Sequence, residues 1–197
     1  MNSVKAMTLA LCAAACSVMT AFGDGAAPVA TASSTAIADP VNPKPGLVFK
    51  GYDIRSGHFQ DLPSMIEKTA AVKMTVVTDD KFAYGNFQNV RISQGVWEGF
   101  VQCKRSANCT ILVQQASYNG CGYILFVNGK RIFCGHGQMS RLVDLKVGFN
   151  HIKLIAQNAG NNPVLIRIKA TGSVKEPKQL TPKVMFHDEK PDDGDVF

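Results

Sequence analysis

The sequence predicts an all-β fold, an antiparallel, jelly-roll-like β-sandwich with at most one short helix and with disulfide staples. Short runs of alternating apolar and polar residues, bounded by turn residues, follow one another from Trp97 to His187. Within residues 122–134, Asn128-Gly129 separates two such runs, and this dipeptide favours a two-residue hairpin turn. Four of the six cysteines fall between residues 103 and 134, which is typical of an exported, disulfide-bonded domain.

Alternation of apolar and polar residues also predicts the remaining strands. They cover residues 46–52, 72–78, 89–93, 97–102, 109–115, 141–147, 149–156 and 164–169. Strands 97–102 and 109–115 are consecutive and separated by a short loop, so we expect them to pair. The even spacing of the strands favours a sandwich or barrel over an α/β sheet.

One short helix or turn is predicted between the first two strands, over residues 61–68. Asp61 stands at the N-cap position, and Pro63 follows in the first turn, where proline is tolerated. Met65 and Ile66 are expected to pack inward.

The chain divides into four segments by composition: residues 1–23, 24–45, 46–187 and 188–197. The first is expected to be a signal peptide, since its apolar stretch is too short to span a bilayer and ends in small residues. An alternative is lipoprotein processing at Cys16, which would tether the protein to a membrane. The second segment is a flexible linker rich in Ala, Pro, Ser and Thr, the third is the β-sandwich, and the fourth is an acidic, disordered tail.

Charge is distributed unevenly between the domain and the tail. Residues 46–183 hold 18 Lys and Arg against eight Asp and Glu, whereas residues 188–197 hold five acids and one lysine. Lysines keep the exposed face of a sheet soluble, and an exported basic surface also attracts anionic polymers, lipid headgroups or acidic glycans. We expect no nucleic-acid partner, and a membrane contact only if Cys16 is lipidated.

The cysteines are expected to form two disulfides. Counting outward from a two-residue turn at Asn128-Gly129 places Tyr123 opposite Cys134, which brings Cys121 close to Cys134. Cys103 and Cys109 then close the short loop between them. A zinc site using His136 beside Cys134 is the alternative, but the ligand spacing does not match structural zinc sites, and we expect no metal or other cofactor.

The strand and turn motifs resemble the protective-antigen-type β-sandwich. The residues that carry the resemblance are Trp97-x-Gly99-x-Val101, Gly122 to Lys130, Val143 to Gly148, His151 to Ile155 and Leu180-Thr-Pro182. The resemblance covers about residues 46–187 and implies a lectin-like, carbohydrate-binding domain of the kind found in adhesins. A second resemblance, carried by Leu145 to Asn150, is to the jelly-roll sugar-binding domains of glycosidases.

The sequence departs from the calcium-dependent members of this family in one loop. Those members carry an Asp-Asp pair just before the Gly-Tyr strand, where carboxylates hold a hard cation. Here the loop reads Tyr118-Asn-Gly-Cys-Gly122 and has no carboxylate, whereas Asp79-Asp80 lies far upstream. We therefore expect no bound calcium.

Three functions remain open at this stage. The first is a non-catalytic module that binds a glycan or a surface protein through Tyr118, Asn119 and Asn128, because an aromatic ring and amides recognise hydroxyl-rich ligands. The second is a structural subunit or adhesin component that assembles with itself or with other chains at the cell surface. The third, an enzyme, is not expected, because the four histidines are scattered and no catalytic motif occurs. The expected location is outside the cell or on its surface, or a periplasmic or outer-membrane lipoprotein.

Overall fold

The computed structural model describes residues 37–55, 57–84, 90–104, 106–115, 122–158 and 163–189, all of them within the compact unit 33–197. The strands are β1 (Pro43–Pro45), β2 (Leu47–Tyr52), β3 (Lys73–Val77), β4 (Gln94–Cys103), β5 (Ala107–Gln115), β6 (Gly122–Val127), β7 (Lys130–Gly135), β8 (Gln138–Leu145), β9 (Gly148–Gln157), β10 (Val164–Ala170), β11 (Lys178–Leu180) and β12 (Phe186–Asp188). One helix, α1 (Leu62–Glu67), and two 3-10 turns, Phe59–Asp61 and Pro182–Val184, complete the described elements.

The strands form two antiparallel sheets that share one core. The large sheet has the order β1-β12-β4-β9-β6-β7, and β2 pairs with β4 on one side and with β3 on the other. The small sheet has the order β11-β10-β5-β8. One cluster of buried residues, which includes Trp97 and Leu154 from the large sheet and Ile111 and Ile166 from the small sheet, fills the space between them. The predicted antiparallel all-β fold with a single short helix is confirmed.

The predicted pairing of strands 97–102 and 109–115 is wrong. Both strands exist, but β4 pairs with β2, β9 and β12, whereas β5 pairs with β8 and β10 in the other sheet. The short segment between them therefore crosses from one sheet to the other. Alternation identifies which face of a strand is buried, and it does not identify the partner strand.

The hairpin at Asn128-Gly129 is present, but its register differs from the predicted one. Asn128 and Gly129 both have positive φ, 49° and 77°, as a two-residue hairpin turn requires. A shift between Leu125 and Phe126 then adds one residue to β7, so that Cys134 lies opposite Ile124. Counting without this bulge had placed Tyr123 opposite Cys134.

Aromatic rings dominate the centre of the core. Trp97 is fully buried, and its ring lies 5.0 Å from that of Phe49, 5.9 Å from that of Tyr84 and 6.0 Å from that of Phe82, measured between centroids. These separations are typical of favourable aromatic pairs. Trp97 is therefore a core residue.

Helix α1 covers part of the outer face of the large sheet. Leu62 and Ile66 are buried in a second cluster with Val96, Ile124 and Ile155. The helix lies within the predicted residues 61–68, but Asp61 does not cap it with its side chain, because a 3-10 turn leads directly into the helix. No helix in the described part of the chain is long and apolar enough to cross a membrane.

The described cysteines are thiols. Cys103, Cys109 and Cys134 form no disulfide with one another, and Cys121 lies outside the described residues. Cys109 is buried in the shared core and Cys103 packs against the same cluster. Burial is the main cause that raises the pKa of the Cys103 thiol, and the electrostatic effect of the nearby Cys109 adds to it. The two predicted disulfides stay predictions.

The two ends of the described chain lie together. β1 pairs with β12, and the Asn42 backbone N–H donates to the Asp188 carboxylate at 2.8 Å. Both strands reach beyond the predicted domain limits, since β1 falls within the predicted linker and β12 ends at Asp188.

Candidate functional site

Of the three predicted ligand residues, only Asn128 lies in the described part of the chain. Tyr118 and Asn119 lie outside the described residues, in the connection 116–121 between β5 and β6. Asn128 follows β6 at its other end. A six-residue strand separates its ends by about 17 Å. Gly122, where the connection 116–121 enters β6, and Asn128 therefore lie at opposite ends of the sandwich.

The end from which residues 116–121 leave, here called the loop end, joins the two sheets. In the large sheet, Gln157 pairs with both Gln94 and Gly122, and in the small sheet Val164 pairs with Gln115. The connections 85–89, 116–121 and 159–162 all depart from elements at this end. Three connections on one rigid base are the arrangement in which β-sandwich domains commonly place their binding residues.

A polar network fixes the loop end in place. The Ile54 backbone N–H lies 3.0 Å from Ser93 Oγ and 3.1 Å from Gln94 Oε1. Gln94 Nε2 donates in return to the Ile54 carbonyl at 3.1 Å, and the Asn158 backbone N–H donates to the Ser93 carbonyl at 2.9 Å. These bonds connect residues that are far apart in the sequence.

Tyr123 ties the two sheets together beneath the loop end. Its hydroxyl lies 3.2 Å from the Val113 carbonyl oxygen and 3.0 Å from that of Gly137. Burial raises the pKa of Tyr123 to about 12, so the hydroxyl stays protonated and able to donate at neutral pH.

Gln115 is the residue at the loop end that sequence reasoning missed. Only 3% of its surface is exposed, and neither its amide oxygen nor its amide nitrogen has a hydrogen-bond partner among the described residues. A buried amide without partners is costly, about 1–3 kcal/mol, so such groups are normally satisfied by neighbouring chain or by a ligand. Gln115 follows the core-facing alternation of Val113 and directly precedes residue 116, and this position in the sequence could have identified it.

Asn128 has a structural role at the opposite end. Its side-chain oxygen accepts the His151 backbone N–H at 2.9 Å, and its side-chain nitrogen donates to Asn150 Oδ1 at 3.0 Å. Asn150 is fully buried and also bonds both the N–H and the carbonyl of Lys146. The two turns that carried the family resemblance are thus bonded to each other, and a ligand role of Asn128 stays a prediction.

A second cluster of ionisable groups lies on the outer face of the large sheet. His151 Nε2 lies 3.1 Å from Glu98 Oε1, on the adjacent strands β9 and β4. The hydrogen bond with His151 is the main cause that lowers the pKa of Glu98, against the opposing effect of burial, with Lys153 and Lys50 adding to the lowering. The pKa of Tyr52 is raised by burial and by the charge of Glu98. The cluster was not found in the sequence, because β4 and β9 are about 50 residues apart and their register could not be predicted.

The acidic pair Asp79-Asp80 does not form a catalytic or metal-binding centre with other described groups. Both residues are exposed, and Asp80 lies 3.9 Å from the Lys183 ammonium group. In the described part of the chain, no three His, Cys, Asp or Glu side chains come together in a way that could hold a metal ion.

Comparison with solved structures identifies the fold. The A domain of epithelial adhesin 9 from Candida glabrata, solved in complex with Galβ1-4GlcNAc, has a TM-score of 0.54 and 10% identity, over 80% of this chain and 95% of that domain. The PA14 domain of the MpAFP antifreeze protein has a TM-score of 0.51 and 12% identity, over 78% of this chain and 96% of that domain. This chain has the same fold as these two domains. The comparisons therefore support the β-sandwich fold that the resemblance implied, and they do not single out the protective-antigen type.

The fold also occurs within a longer protein. An anti-sigma factor domain-containing protein also matches, with a TM-score of 0.53 and 12% identity over 75% of this chain, and this chain spans about half of its length. No protein-family model matches the sequence, and no curated protein matches it.

Proposed function

We propose that residues 46–187 form a non-catalytic, exported module that binds a glycan or a glycan-bearing surface partner. The observation that carries this proposal is the fold shared with the adhesin domain solved in complex with Galβ1-4GlcNAc, over 95% of that domain. The shared fold with a PA14 domain adds support.

The ligand is proposed to bind at the loop end. Tyr118 supplies an aromatic ring that stacks on a sugar face, and Asn119 supplies both a donor and an acceptor for hydroxyl groups. The rigid polar network at Ile54, Ser93 and Gln94 supports a fixed base for this loop. The buried Gln115 amide, which no described residue satisfies, offers a further donor and acceptor at the base of the loop.

Binding is proposed to be independent of calcium. Residues 116–122 contain no Asp or Glu, and hard cations such as calcium require several oxygen ligands, usually with carboxylates among them. The lectin would therefore bind its ligand directly through side-chain and backbone groups.

Glycan-array binding of the purified, oxidised protein tests the proposal, in calcium and in chelator. We expect a saturable signal that is equal in both conditions, and Galβ1-4GlcNAc is the first probe for affinity measurements. Tyr118→Ala should reduce the affinity at least tenfold, because the stacking of the aromatic ring on the sugar face is lost. Tyr118→Phe keeps the ring and should retain most of the affinity.

Asn119→Ala should also reduce the affinity, because it removes the proposed donor and acceptor, and Asn108→Ala is its matched control. Asn108 is exposed on β5 at the opposite end of the sandwich, so its removal should leave glycan affinity unchanged. A silent array, or binding that survives both Tyr118→Ala and Asn119→Ala, would contradict the proposed site.

A further inference from the structure

Three turns lie together at the end of the sandwich opposite the loop end, here called the Asn128 end. They are the connection 104–106 between β4 and β5, the β6–β7 turn at Asn128-Gly129, and the connection 146–147 between β8 and β9. Asn150 bonds the second turn to the third, through the Asn128 side chain and the Lys146 backbone. Cys103 pairs with Gly148, which places the first turn beside the third. The three turns therefore form one surface.

This surface is basic. The three turns and the first two residues of β7 hold five cations and no Asp or Glu, namely Lys104, Arg105, Lys130, Arg131 and Lys146. Lys104, Lys130 and Arg131 are exposed and form no ion pair with another described residue. Lys146 Nζ lies 2.8 Å from Asp39 Oδ1.

The other connections of the sandwich do not share this charge. The connection 171–177, also at the Asn128 end, has one Lys and one Glu and adds no net charge. The three connections at the loop end, 85–89, 116–121 and 159–162, contain no charged residue. Cations that are close together repel one another, so an anionic group that binds among them is favoured, most strongly at low salt. The Asn128 end is therefore suited to an acidic partner.

The acidic C-terminal segment leaves the described structure near this end. The Glu189 backbone N–H donates to the Asn42 carbonyl at 3.2 Å. Asn42 comes three residues after Asp39, the residue that pairs with Lys146, and three residues span at most about 11 Å. Residues 190–197 therefore start a short distance from the basic surface.

The segment 190–197 is long enough and acidic enough to cover the cations. Its sequence, Lys-Pro-Asp-Asp-Gly-Asp-Val-Phe, has three carboxylate side chains and one lysine. Eight extended residues span up to about 26–29 Å. Lys104 follows β4, which is adjacent to β9, and Lys130 begins β7, which is two strands from β9. Because neighbouring strands are about 5 Å apart, both backbones lie within about 10 Å of the start of β9 across the sheet.

We propose that residues 190–197 dock on the Asn128 end of their own chain and pair their carboxylates with its cations. The contact is intramolecular, so the effective concentration of the segment is high at any protein concentration. Each exposed ion pair is weak alone, so the contact depends on several pairs and is lost when salt screens them. The docked segment competes with external anionic polymers for this end and leaves the loop end accessible. This inference does not depend on glycan binding.

Backbone amide NMR spectra of the purified protein test the contact. They are compared with those of a variant in which three acids of the segment are neutralised, Asp192→Asn, Asp193→Asn and Asp195→Asn. We expect the amides of Lys104, Lys130 and Lys146 to differ in chemical shift between the two proteins at low salt. The difference should vanish in about 1 M salt, where screening is nearly complete.

The matched control neutralises three exposed acids elsewhere in the domain, with Asp61→Asn, Asp79→Asn and Asp80→Asn. It should leave the same lysine amides unchanged. The proposal is overturned if the variant of the segment does not shift these amides, if the control shifts them equally, or if the shifts grow with protein concentration, which would mean binding to a second copy. Amides that respond to added dextran sulfate but not to the variant of the segment would assign this end to an external anionic polymer, and would also overturn the proposal.

Discussion

Gly99, the glycine of the Trp-x-Gly motif, allows β12 to pack closely on β4. A Cβ atom at this position would collide with the Phe186 carbonyl oxygen and with the Leu47 side chain. The sequence marked Gly99 as part of a family pattern, and the structure gives the physical reason for it.

Gly99→Ala is therefore expected to destabilise the domain by about 1–3 kcal/mol, the usual cost of overpacking a core. The measurement is the free energy of unfolding in urea. Gly172→Ala is the comparison, because Gly172 has a φ of 77° but open space around its Cα, so its substitution tests backbone conformation without collision. Equal stability of Gly99→Ala and the unmodified protein would show that β12 does not pack as described.

Glu98 should make stability depend on pH. Its pKa in the folded protein is lowered from 4.5, mainly by the hydrogen bond with His151. A lowered pKa means that the folded state favours the carboxylate, so the stabilising contribution is complete above about pH 4.5 and is lost as the pH falls through the lower pKa of the folded state.

Glu98→Gln should remove this dependence. The variant is expected to be less stable than the unmodified protein at pH 6, and the difference in urea midpoint should shrink as the pH falls below about 4.5. A difference of constant size across this range would mean that the Glu98 carboxylate is not held by His151.

The role of a residue could be predicted where it depends on local conformation, and it could not be predicted where it depends on residues far away in the sequence. Asn128-Gly129 was identified as a turn because positive φ is a property of those two residues. The bond between Asn150 and Asn128, and the burial of Gln115 at the other end of the sandwich, could not be predicted, because each depends on the fold.

At the scale of elements, the positions of most strands followed from alternation, but their partners did not. The predicted strand 89–93 is wrong, because its described residues 90–93 form no strand. Ten-residue strands such as β4 and β9 gave clear patterns, whereas β4 and β5 were assigned to one hairpin and proved to lie in different sheets. The bulge in β7 was also hidden, because one extra residue leaves the composition of the strand unchanged.

Asn150 links two turns at one end of the sandwich, and its removal should weaken both. Asn150→Ala leaves the Lys146 backbone groups and the Asn128 amide without their buried partner. We expect a loss of about 2–3 kcal/mol in the free energy of unfolding. Asn108→Ala, on an exposed position of β5, should change it by less than about 0.5 kcal/mol.

Cys103 and Cys109 are expected to form a disulfide when the protein is oxidised, because both pack against the shared core and Cys109 is close enough to raise the pKa of the Cys103 thiol. Closing so short a loop should add about 2 kcal/mol to stability. Peptide mapping by mass spectrometry without reduction reads the pairing directly, and it reports on Cys121–Cys134 in the same experiment. Recovery of all four cysteines as thiols from oxidised protein would contradict both predicted pairs.

At the scale of the whole molecule, the sequence predicted the class of fold better than the position of a site. The fold depends on many strands, so single errors of pairing and register did not change the class. The proposed site depends on a few side chains, of which Tyr118 and Asn119 lie outside the described residues, and Asn128 follows β6 at the end opposite Gly122. The length of β6 separates the loop end from the Asn128 turn, and the sequence motifs did not indicate this distance.

The most direct test of the central claim is an NMR titration of the isotope-labelled protein with Galβ1-4GlcNAc or with the best ligand from the array. Saturable shifts of the backbone amides of Gln115, Gly122 and Asn158, with those of Asn128 and Lys146 unchanged, are the predicted result. Saturable shifts confined to the Asn128 end or to the outer sheet face, or no saturable shift with any glycan, would contradict a glycan-binding loop end.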